Sequence, residues 1–480
     1  MGKLFVLILV LCSPLLLLSC AGPAAKTFFA PPDVEEPKLS GALRTDEAGW
    51  VFLRLAGPPE VIGYQHGYLA ANEIADAVSM FRQYTPQATR RDWNFYRRTA
   101  EELFWPKLTE DEQLEIEGIA AGARARGQAI DRSDITAMNG WMEIAWYYIP
   151  ALEKRDNAAP GNCSAFIATG SYTKDGGIVM GHNAWLDYAV GQRWNFVLDI
   201  APARGRRIIM DAFPGFIHSG DDFAINDAGL MVTETTITGF KGFDPAGIPE
   251  FARARRAMQY AASIDEWVQI MKEGNNGAYA NSWLIGDRKT GEIARLELGL
   301  KNAPLERTKN GYFIGSNFPA DPKLCREETT FNAGDPGSCC NARRKRWEAL
   351  MEERRGKIDV EAAKRFLADH IDTRTGLEAP SGRTLCGHVD LDPNGAPEWE
   401  WEPFNPGGAV QSKVADSKLA RELALWACFG HACGQDFRAE TFLASHPRYT
   451  WQRPFLRDLP AASWVLFRRA AREVVSEGAR

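Results

Sequence analysis

Two residues with reactive side chains bracket a short hairpin in the middle of the chain. Cys163 opens a β-prone run at residues 163–169, and His182 closes the returning run that begins at Ile178. A Lys-Asp-Gly-Gly turn at residues 174–177 joins the runs, so the hairpin brings their outer ends together. A thiol beside a polar or cationic partner favours the thiolate, which is the nucleophilic form. The pattern therefore predicts a nucleophilic Cys163, with a buried core thiol as the alternative.

The nine cysteines fall into three groups. Cys12 and Cys20 belong to the apolar N-terminal segment, and Cys163 stands alone. The other six lie in the C-terminal third, at Cys325, Cys339, Cys340, Cys386, Cys428 and Cys433. Six clustered cysteines in an exported chain predict up to three disulfides. A rival interpretation replaces disulfides by zinc, although the spacing matches no standard zinc module. Its ligands would be Cys386, His388, Cys428, His431 and Cys433.

The first 19 residues have the pattern of a signal peptide. They carry one positive charge, at Lys3, and two leucine-rich runs separated by Pro14, which favours cleavage over a membrane-spanning helix. The end of the segment resembles the lipobox of bacterial lipoproteins, in which Cys20 becomes the lipidated first residue. An ordinary secretory peptide cut near Ala24 is the alternative. With a flexible tether at residues 20–45, the sequence predicts lipid anchoring in the bacterial cell envelope, facing the periplasm or the outer membrane.

Residues 46–480 are predicted to form the folded domain. The whole sequence is 45% hydrophobic and 25% charged, and both values are close to the averages for globular proteins. The formal net charge of −6 argues against a nucleic-acid partner. The sequence contains no Gly-x-Ser-x-Gly elbow, His-Glu-x-x-His helix or glycine-rich nucleotide loop, and we expect neither a metal nor a cofactor.

Hydrophobic periodicity divides this domain into helical and strand-rich segments. A strand at residues 50–56 precedes a mostly helical region at 75–150, where the small residues at 118–124 indicate close helix packing. We expect one amphipathic helix at residues 249–272 and further helix at 343–367. Six closely spaced strand segments indicate antiparallel sheet. They lie at residues 194–200, 207–210, 223–226, 229–237, 282–286 and 293–298. This order fits an α+β fold with two sheets packed face to face and helices outside.

Several ordered motifs resemble those of the phospholipase B-like proteins. The first joins Cys163-Ser-Ala to the segment from Gly181 to Tyr188, the second runs from Ala228 to Ile237 and contains Val-Thr-Glu-Thr-Thr, and the third ends in Asn281-Ser-Trp. More distantly, the chain is similar to the bile-salt hydrolase, penicillin acylase and isopenicillin N acyltransferase group. All are N-terminal-nucleophile hydrolases. The resemblance implies a four-layer αββα sandwich with two stacked, largely antiparallel sheets.

The position of Cys163 after a Pro-Gly-Asn segment suggests self-cleavage between Asn162 and Cys163. The products would be a light chain of residues 46–162 and a heavy chain of residues 163–480. Cleavage would free an α-amino group, which titrates at about 7.7–8.0 and can serve as the general base for the thiol. The thiol would then attack a carbonyl carbon and form an acyl-enzyme.

The resemblance also implies roles for residues outside the hairpin. Asn281 matches an Asn-x-Trp motif and is the expected donor to the oxyanion, with a strand-end turn residue as the alternative. Thr235 and Thr236 match a site position, and only one of them can point into the site because they lie on opposite strand faces. His182 is expected to orient the thiolate or to donate to the oxyanion, with a structural histidine as the alternative.

Three residues are predicted to bind substrate. Asn317 and Arg343 resemble a second asparagine and an arginine of the wider group, and Trp185 belongs to the first motif. The bile-salt hydrolase group carries Arg in place of His182 and Asp in place of Trp185, so its substrate pocket cannot be transferred to this chain.

Together these features predict an exported, self-processing cysteine hydrolase. It would cleave an amide or carboxylic ester of an acylated small molecule or a phospholipid. The alternative is a non-catalytic envelope lipoprotein that uses the same fold to bind lipids or a protein partner.

Overall fold

The computed structural model describes residues 27–29, 37–154, 163–220, 223–460 and 463–469. The predicted signal peptide, the lipidation site at Cys20 and the cleavage-site residue Asn162 lie outside the described residues. Among the helices within these ranges, none is both long enough and apolar enough to cross a bilayer.

The described residues form a mixed α+β fold. Its strands are β1 (Thr27–Phe29), β2 (Leu43–Glu47), β3 (Trp50–Gly57), β4 (Cys163–Thr169), β5 (Val179–Asp187), β6 (Phe196–Pro202), β7 (Ile208–Ala212), β8 (Ala224–Asn226), β9 (Leu230–Thr236), β10 (Asn281–Asp287), β11 (Glu292–Leu298), β12 (Leu305–Thr308), β13 (Gly311–Gly315), β14 (Ile371–Asp372), β15 (Leu377–Glu378), β16 (Gly407–Asp416), β17 (Ala424–Phe429) and β18 (Val465–Arg468).

The α-helices are interspersed with these strands along the chain. They are α1 (Pro59–Leu69), α2 (Ala71–Thr89), α3 (Trp93–Thr99), α4 (Glu110–Ala125), α5 (Arg132–Asn139), α6 (Trp141–Glu143), α7 (Ile149–Glu153), α8 (Tyr188–Gly191), α9 (Glu250–Tyr260), α10 (Ile264–Lys272), α11 (Pro322–Glu328), α12 (Cys339–Glu353), α13 (Val360–Leu367), α14 (Ser417–Arg421) and α15 (Ala439–Ser445).

Two large sheets contain nearly all of the strands. The first has ten strands in the order β1-β2-β3-β6-β7-β8-β9-β10-β11-β12, and the second has six in the order β13-β4-β5-β16-β17-β18. Strands β14 and β15 form a separate pair. Among the named strands of the described chain, only β3 and β6 pair in parallel, and the other ladders are antiparallel, as the short connections predicted.

The two large sheets contact each other through β4, β9 and β10. Gly286 of β10 illustrates the fit, because a Cβ atom placed on it would lie 3.1 Å from both Ile167 of β4 and Ile178, the residue before β5. Helices α9 and α10 contact the ten-stranded sheet, and α12 and α13 contact the six-stranded sheet. Strands β4, β9 and β10 are buried along their whole length.

Helices α1 and α4 pack with their backbones in direct contact. A Cβ atom on Gly63 or Gly67 of α1 would lie 2.0 Å or 1.9 Å from the carbonyl oxygen of Glu115 or Ile119. A Cβ atom on Gly122 of α4 would likewise lie 2.2 Å from the carbonyl oxygen of Tyr64 in α1. Only glycine leaves room for this approach, so the predicted close packing of the small-residue segment at 118–124 is confirmed.

The single helix predicted at 249–272 is wrong, whereas the helical region predicted at 343–367 is confirmed as two helices. The first region consists of α9 and α10, because the Ser263 hydroxyl accepts a hydrogen bond from the Glu266 amide and starts a new helix. The second consists of α12 and α13, separated by Gly356 at φ 73° and by Asp359, whose carboxylate caps α13. In both regions a capping side chain interrupts the apolar periodicity.

The disulfide prediction is also wrong in this structure. Among the described residues, none of the six C-terminal cysteines forms a disulfide. Polar groups of other residues lie near them: Cys339 contacts the Glu398 carboxylate, and Cys340 lies 3.5 Å from the Thr238 hydroxyl. Cys386 and Cys433 share a histidine neighbour, which is described below.

Candidate active site

Cys163 is the first residue of β4 and is almost completely buried, with 1% of its surface exposed. It pairs with Ala184 of β5, as the predicted hairpin requires. The backbone nitrogen of Cys163 donates to Asn317 Oδ1 at 3.3 Å, and its carbonyl oxygen accepts from Arg343 Nη1 at 2.7 Å. The main chain of the predicted nucleophile is therefore held on both sides by polar side chains as well as by strand pairing.

The thiol of Cys163 points at a carboxylate from the opposite sheet. Its Sγ donates to Glu234 Oε1 of β9 at 3.7 Å. A ring nitrogen of His182 on β5 lies within 4.8 Å of both the sulfur and the carboxylate. Thiol, imidazole and carboxylate thus converge from three strands at the interface between the two sheets, and all three residues are buried.

His182 is fully buried, and neither of its ring nitrogens has a hydrogen-bond partner among the described residues. In the sheet it pairs with Ala165 on one side and Lys413 on the other. Burial lowers the pKa of His182 well below its ordinary value, and the positive charge of Lys413 adds to this effect. The imidazole is therefore neutral, and beside the thiol it can donate a hydrogen bond from one ring nitrogen and accept one at the other.

Asn281 reaches the same carboxylate from β10. With its amide in the orientation that satisfies its neighbours, Nδ2 donates to Glu234 Oε2 at 2.9 Å and to the Ala280 carbonyl at 3.0 Å. Asn281 therefore lies one hydrogen bond away from the group that accepts from the thiol. Its role as the oxyanion donor stays a prediction.

The hydroxyl groups of Thr235 and Thr236 have different neighbours. A Cβ atom on Gly315 of the six-stranded sheet would lie 2.3 Å from Thr235 Oγ1, and this oxygen is buried without a hydrogen-bond partner in the described chain. Thr236 Oγ1 instead donates to the Tyr279 hydroxyl at 2.6 Å. The catalytic role of either threonine stays a prediction.

Asn317 connects the nucleophile to both sheets. Its Oδ1 accepts from the Cys163 amide and from Arg343 Nη2 at 3.0 Å, while its Nδ2 donates to the Thr236 carbonyl at 2.9 Å. The residue has φ 69°, a left-handed conformation that is uncommon for non-glycine residues and that asparagine tolerates better than most. Such backbone conformations cluster at functional sites, where the surroundings enforce them.

Arg343 lies behind the nucleophile on α12 and is fully buried. Besides the Cys163 carbonyl, its Nη1 contacts Ser164 Oγ at 2.9 Å. Its guanidinium carbon lies 4.4 Å from the ring centre of Trp185 and 5.2 Å from that of Trp399. The contacts of Arg343 and Trp185 are with protein groups, and their predicted substrate-binding role, like that of Asn317, stays a prediction.

The sequence interpretation missed Glu234 and Tyr279. Glu234 lies inside the Val-Thr-Glu-Thr-Thr motif, in which only the threonines were predicted to act. A buried glutamate needs a polar or charged partner. The occurrence of Glu234 in a strand otherwise made of apolar residues and threonines was therefore the sequence signal that could have identified it. Burial raises the pKa of Tyr279 well above its ordinary value, and the charges of Glu234 and Cys163 raise it further. No comparable signal marked Tyr279.

An aromatic cavity of about 240 Å³ adjoins this region. It shares Trp399 with the ring stack on Arg343, and Leu186 and Asp187 on its wall directly follow Trp185 in β5. Its other aromatic walls are Tyr84, Tyr96, Trp141, Trp146, Trp401, Tyr449 and Trp451. Polar groups line the cavity as well, among them Asp187, Glu400 and Asn405, so the cavity offers a ligand both aromatic rings and hydrogen-bonding partners.

Comparison with known proteins bears on this site. The model of the phospholipase B family matches residues 62–297. Phospholipase B-like 1 of Homo sapiens is 24% identical over 432 residues, which cover 77% of this chain and 74% of that protein. Putative phospholipase B-like 2 of Bos taurus is 33% identical over 319 residues, covering 56% and 53% of the two chains. Phospholipase B of Crotalus adamanteus is 24% identical, covering 66% and 56%. These matches support the phospholipase B family.

The similarity to proteins of the phospholipase B family points to a hydrolase. The residues matched by the family model include Cys163, His182, Glu234 and Asn281, whereas Asn317 and Arg343 lie beyond its end. The chain spans just over half the length of the Bos taurus and Crotalus adamanteus relatives and about three quarters of the Homo sapiens relative.

Proposed function

We propose that this protein is a self-processing cysteine hydrolase that cleaves carboxylic esters of lipids through an acyl-enzyme on Cys163. The observation that carries the proposal is the convergence of the Cys163 thiol, the Glu234 carboxylate and the His182 imidazole within 4.8 Å of one another. The similarity to phospholipase B-like proteins supports a lipid ester as the substrate.

We also assign the chain to the N-terminal-nucleophile fold, with four layers in the order αββα. Support comes from the two large sheets that contact each other through β4, β9 and β10, with helices α9 and α10 against one sheet and α12 and α13 against the other. In such a fold the nucleophile begins a strand of one sheet, which is where Cys163 lies.

Cleavage before Cys163 would convert its backbone nitrogen into an α-amine. That nitrogen already faces Asn317 Oδ1 at 3.3 Å, so Asn317 would accept a hydrogen bond from the amine and hold its lone pair toward the thiol. An α-amine that titrates at about 7.7–8.0 is partly neutral at physiological pH and can take the thiol proton. Arg343, bonded to the same Asn317 oxygen, would oppose a second positive charge and keep the amine neutral.

The reaction would then proceed in two steps. In the first, the thiolate sulfur bonds to the ester carbonyl carbon, the C–O bond breaks, and the leaving alkoxide oxygen takes the proton held by the amine. In the second, water attacks the thioester, the fatty acid leaves, and a proton returns to the sulfur. Asn281 would donate to the oxyanion in both tetrahedral intermediates.

Intact-mass analysis tests self-processing. Wild-type protein is expected to give two polypeptides, with the second beginning at Cys163, whereas Cys163→Ala should give one full-length chain. A wild-type chain that stays whole and still hydrolyses esters would overturn the N-terminal-amine mechanism.

Product analysis tests the substrate class. Purified protein is incubated with lysophosphatidylcholine and, separately, with an N-acyl amino acid of the same chain length. We expect fatty acid release from the ester, and none from Cys163→Ala. Release from the amide alone would replace the esterase by an amidase. Lipid binding without any release by cleaved protein would favour the non-catalytic lipoprotein.

We further propose export and lipid anchoring at Cys20. Metabolic labelling with palmitate in a bacterial host should label the wild-type protein and not Cys20→Ala. Label retained by the variant would reject this modification site.

A further inference from the structure

A second cluster of reactive side chains lies outside the candidate active site. His370, Cys386, His388 and Cys433 each place one possible ligand atom within 4.8 Å of all the others. His370 follows α13, Cys386 and His388 belong to the loop before β16, and Cys433 follows β17. Three separate segments of the chain thus bring two sulfur and two nitrogen atoms within 4.8 Å of one another.

The distances within the cluster fit a tetrahedral zinc ion. His388 Nε2 lies 3.6 Å from Cys386 Sγ and 3.5 Å from Cys433 Sγ. With Zn–S bonds of about 2.3 Å and Zn–N bonds of about 2.0–2.1 Å, neighbouring sulfur and nitrogen ligands of a tetrahedron are roughly 3.6 Å apart. A Cys₂His₂ set is also among the ligand combinations of structural zinc sites.

The surroundings of the four residues resemble the outer shell of a metal site. His370 Nε2 is buried and has no hydrogen-bond partner in the described part of the chain. The ring of His388 stacks on that of His431 at 4.0 Å, and both rings lie beside Asp390. Metal-binding histidines usually have such carboxylate neighbours, which orient the ring. Asp390 in turn accepts a hydrogen bond from the Tyr188 hydroxyl at 2.7 Å.

We propose that His370, Cys386, His388 and Cys433 bind one Zn²⁺ ion in a closed structural site. Four protein ligands leave no position for substrate, so the ion has no part in the hydrolysis. Binding displaces the thiol protons of Cys386 and Cys433 to solvent as the two Zn–S bonds form. The ligand set differs from that of the rival zinc interpretation of the sequence, because His370 replaces Cys428 and His431.

A series of packing contacts connects the proposed zinc site to Cys163. Gly387 lies between two of the ligands, and a Cβ atom on it would come within 2.1 Å of the Trp185 ring. Trp185 stacks on Arg343, which binds the Cys163 carbonyl. A metal that holds residues 386–388 would therefore also support the packing behind Cys163, without taking part in the reaction.

Metal analysis of the purified full-length protein tests the proposal. We expect about one zinc per chain in wild type, and less than a tenth of that in Cys433→Ser and in His370→Ala. Cys428→Ser is the matched control, since Cys428 is a neighbouring buried thiol outside the ligand set, and it should retain the zinc. Equal zinc in Cys433→Ser and wild type would reject the site.

Cobalt substitution keeps the test informative if a variant folds poorly. Wild-type protein stripped of zinc and supplied with Co²⁺ should show thiolate-to-metal charge transfer and the visible bands of tetrahedral cobalt. Zinc added afterwards should abolish both. A wild-type protein that contains no zinc, binds no cobalt and has a Cys386–Cys433 disulfide by peptide mapping would show that the cluster is a redox pair instead. Cys163→Ala should bind zinc normally, so the outcome is independent of the proposed hydrolase.

Discussion

At the scale of single residues, the thiol of Cys163 faces the carboxylate of Glu234. A thiolate and an ionised Glu234 at 3.7 Å repel each other, so the pair favours states in which one of the two carries the proton. Glu234 also accepts from Asn281, which links the nucleophile to the expected oxyanion donor. Glu234 is thus placed to influence both the proton on the sulfur and the orientation of the amide.

Glu234→Gln tests this placement, because it keeps the size of the side chain and removes its charge. We expect kcat to fall by about 100-fold or more, the range of a lost proton-transfer group, with a changed pH profile and little change in KM. The measurement is steady-state ester hydrolysis between pH 5 and 9. Glu306→Gln on the exposed strand β12 is the control. An unaltered kcat would show that Glu234 has no role in catalysis.

Asn281→Ala removes a donor and leaves the nucleophile and its base in place. Loss of one oxyanion donor typically lowers kcat by about 100- to 1,000-fold. Because this interaction strengthens only in the transition state, KM should change little. Kinetics with the same ester settle the point: a raised KM with normal kcat would make Asn281 a substrate-binding residue.

Glu143 predicts a pH effect on stability. Burial raises its pKa from 4.5 to about 7, although Asn276 donates to its carboxylate at 2.6 Å. The protonated form is favoured in the folded state, so the stability that Glu143 contributes is fully present below pH 4.5 and is lost as the pH rises to 7.

The variant Glu143→Gln carries a neutral amide over the same pH range. The free energy of unfolding of the variant, relative to that of wild type, should therefore increase as the pH rises from 4.5 to 7. The expected increase is about 1.4 kcal/mol per pH unit. Urea unfolding of both proteins at several pH values measures the difference. Glu102→Gln, at an exposed position, is the control, and a pH-independent difference for Glu143→Gln would contradict the assignment.

At the scale of elements, the contact between α1 and α4 depends on glycine. Alanine is the better helix former by about 1 kcal/mol, so Gly67→Ala would stabilise an isolated α1. In the protein, the added methyl would lie 1.9 Å from the Ile119 carbonyl, and the helices must separate. We expect a net loss of at least about 2 kcal/mol in the free energy of unfolding. Chemical denaturation checks this against Gly334→Ala, where only the Asn332 side chain lies nearby, at 3.5 Å. Equal stabilities would show that the helices can move apart freely.

The elements also show which features could be predicted from the sequence. The hairpin of β4 and β5, the glycine-rich packing of α4 and the antiparallel strands follow from local patterns, and each is present. The break between α9 and α10 depends on one side-chain cap at Ser263, which competes with an uninterrupted apolar period. The meeting of Cys163 with Glu234 could not be predicted in this way, because β4 and β9 belong to different sheets and touch only through tertiary packing.

At the scale of the whole molecule, the proposed cleavage would leave the two fragments bound to each other. Strand β3 of the light chain pairs in parallel with β6 of the heavy chain, from Val51 and Phe196 onward. The Tyr147 hydroxyl accepts from the Ala280 amide across the same boundary. The fragments should therefore elute together in native size-exclusion chromatography and separate only in denaturant. A light chain that dissociates in native buffer would contradict this, and Cys163→Ala should give one band in both conditions.

The parallel pairing of β3 with β6 also affects how the protein folds before cleavage and how it refolds afterwards. Before cleavage, bringing β3 to β6 is a loop closure within one chain, and its rate does not depend on protein concentration. After cleavage, the same pairing becomes an encounter between two molecules. A processed enzyme that unfolds would have to reassemble in a second-order reaction, in competition with aggregation of its exposed strands. The lifetime of the mature protein would then depend on slow unfolding. Its native state would be one that formed in the uncleaved precursor and that the separated fragments regain only with difficulty.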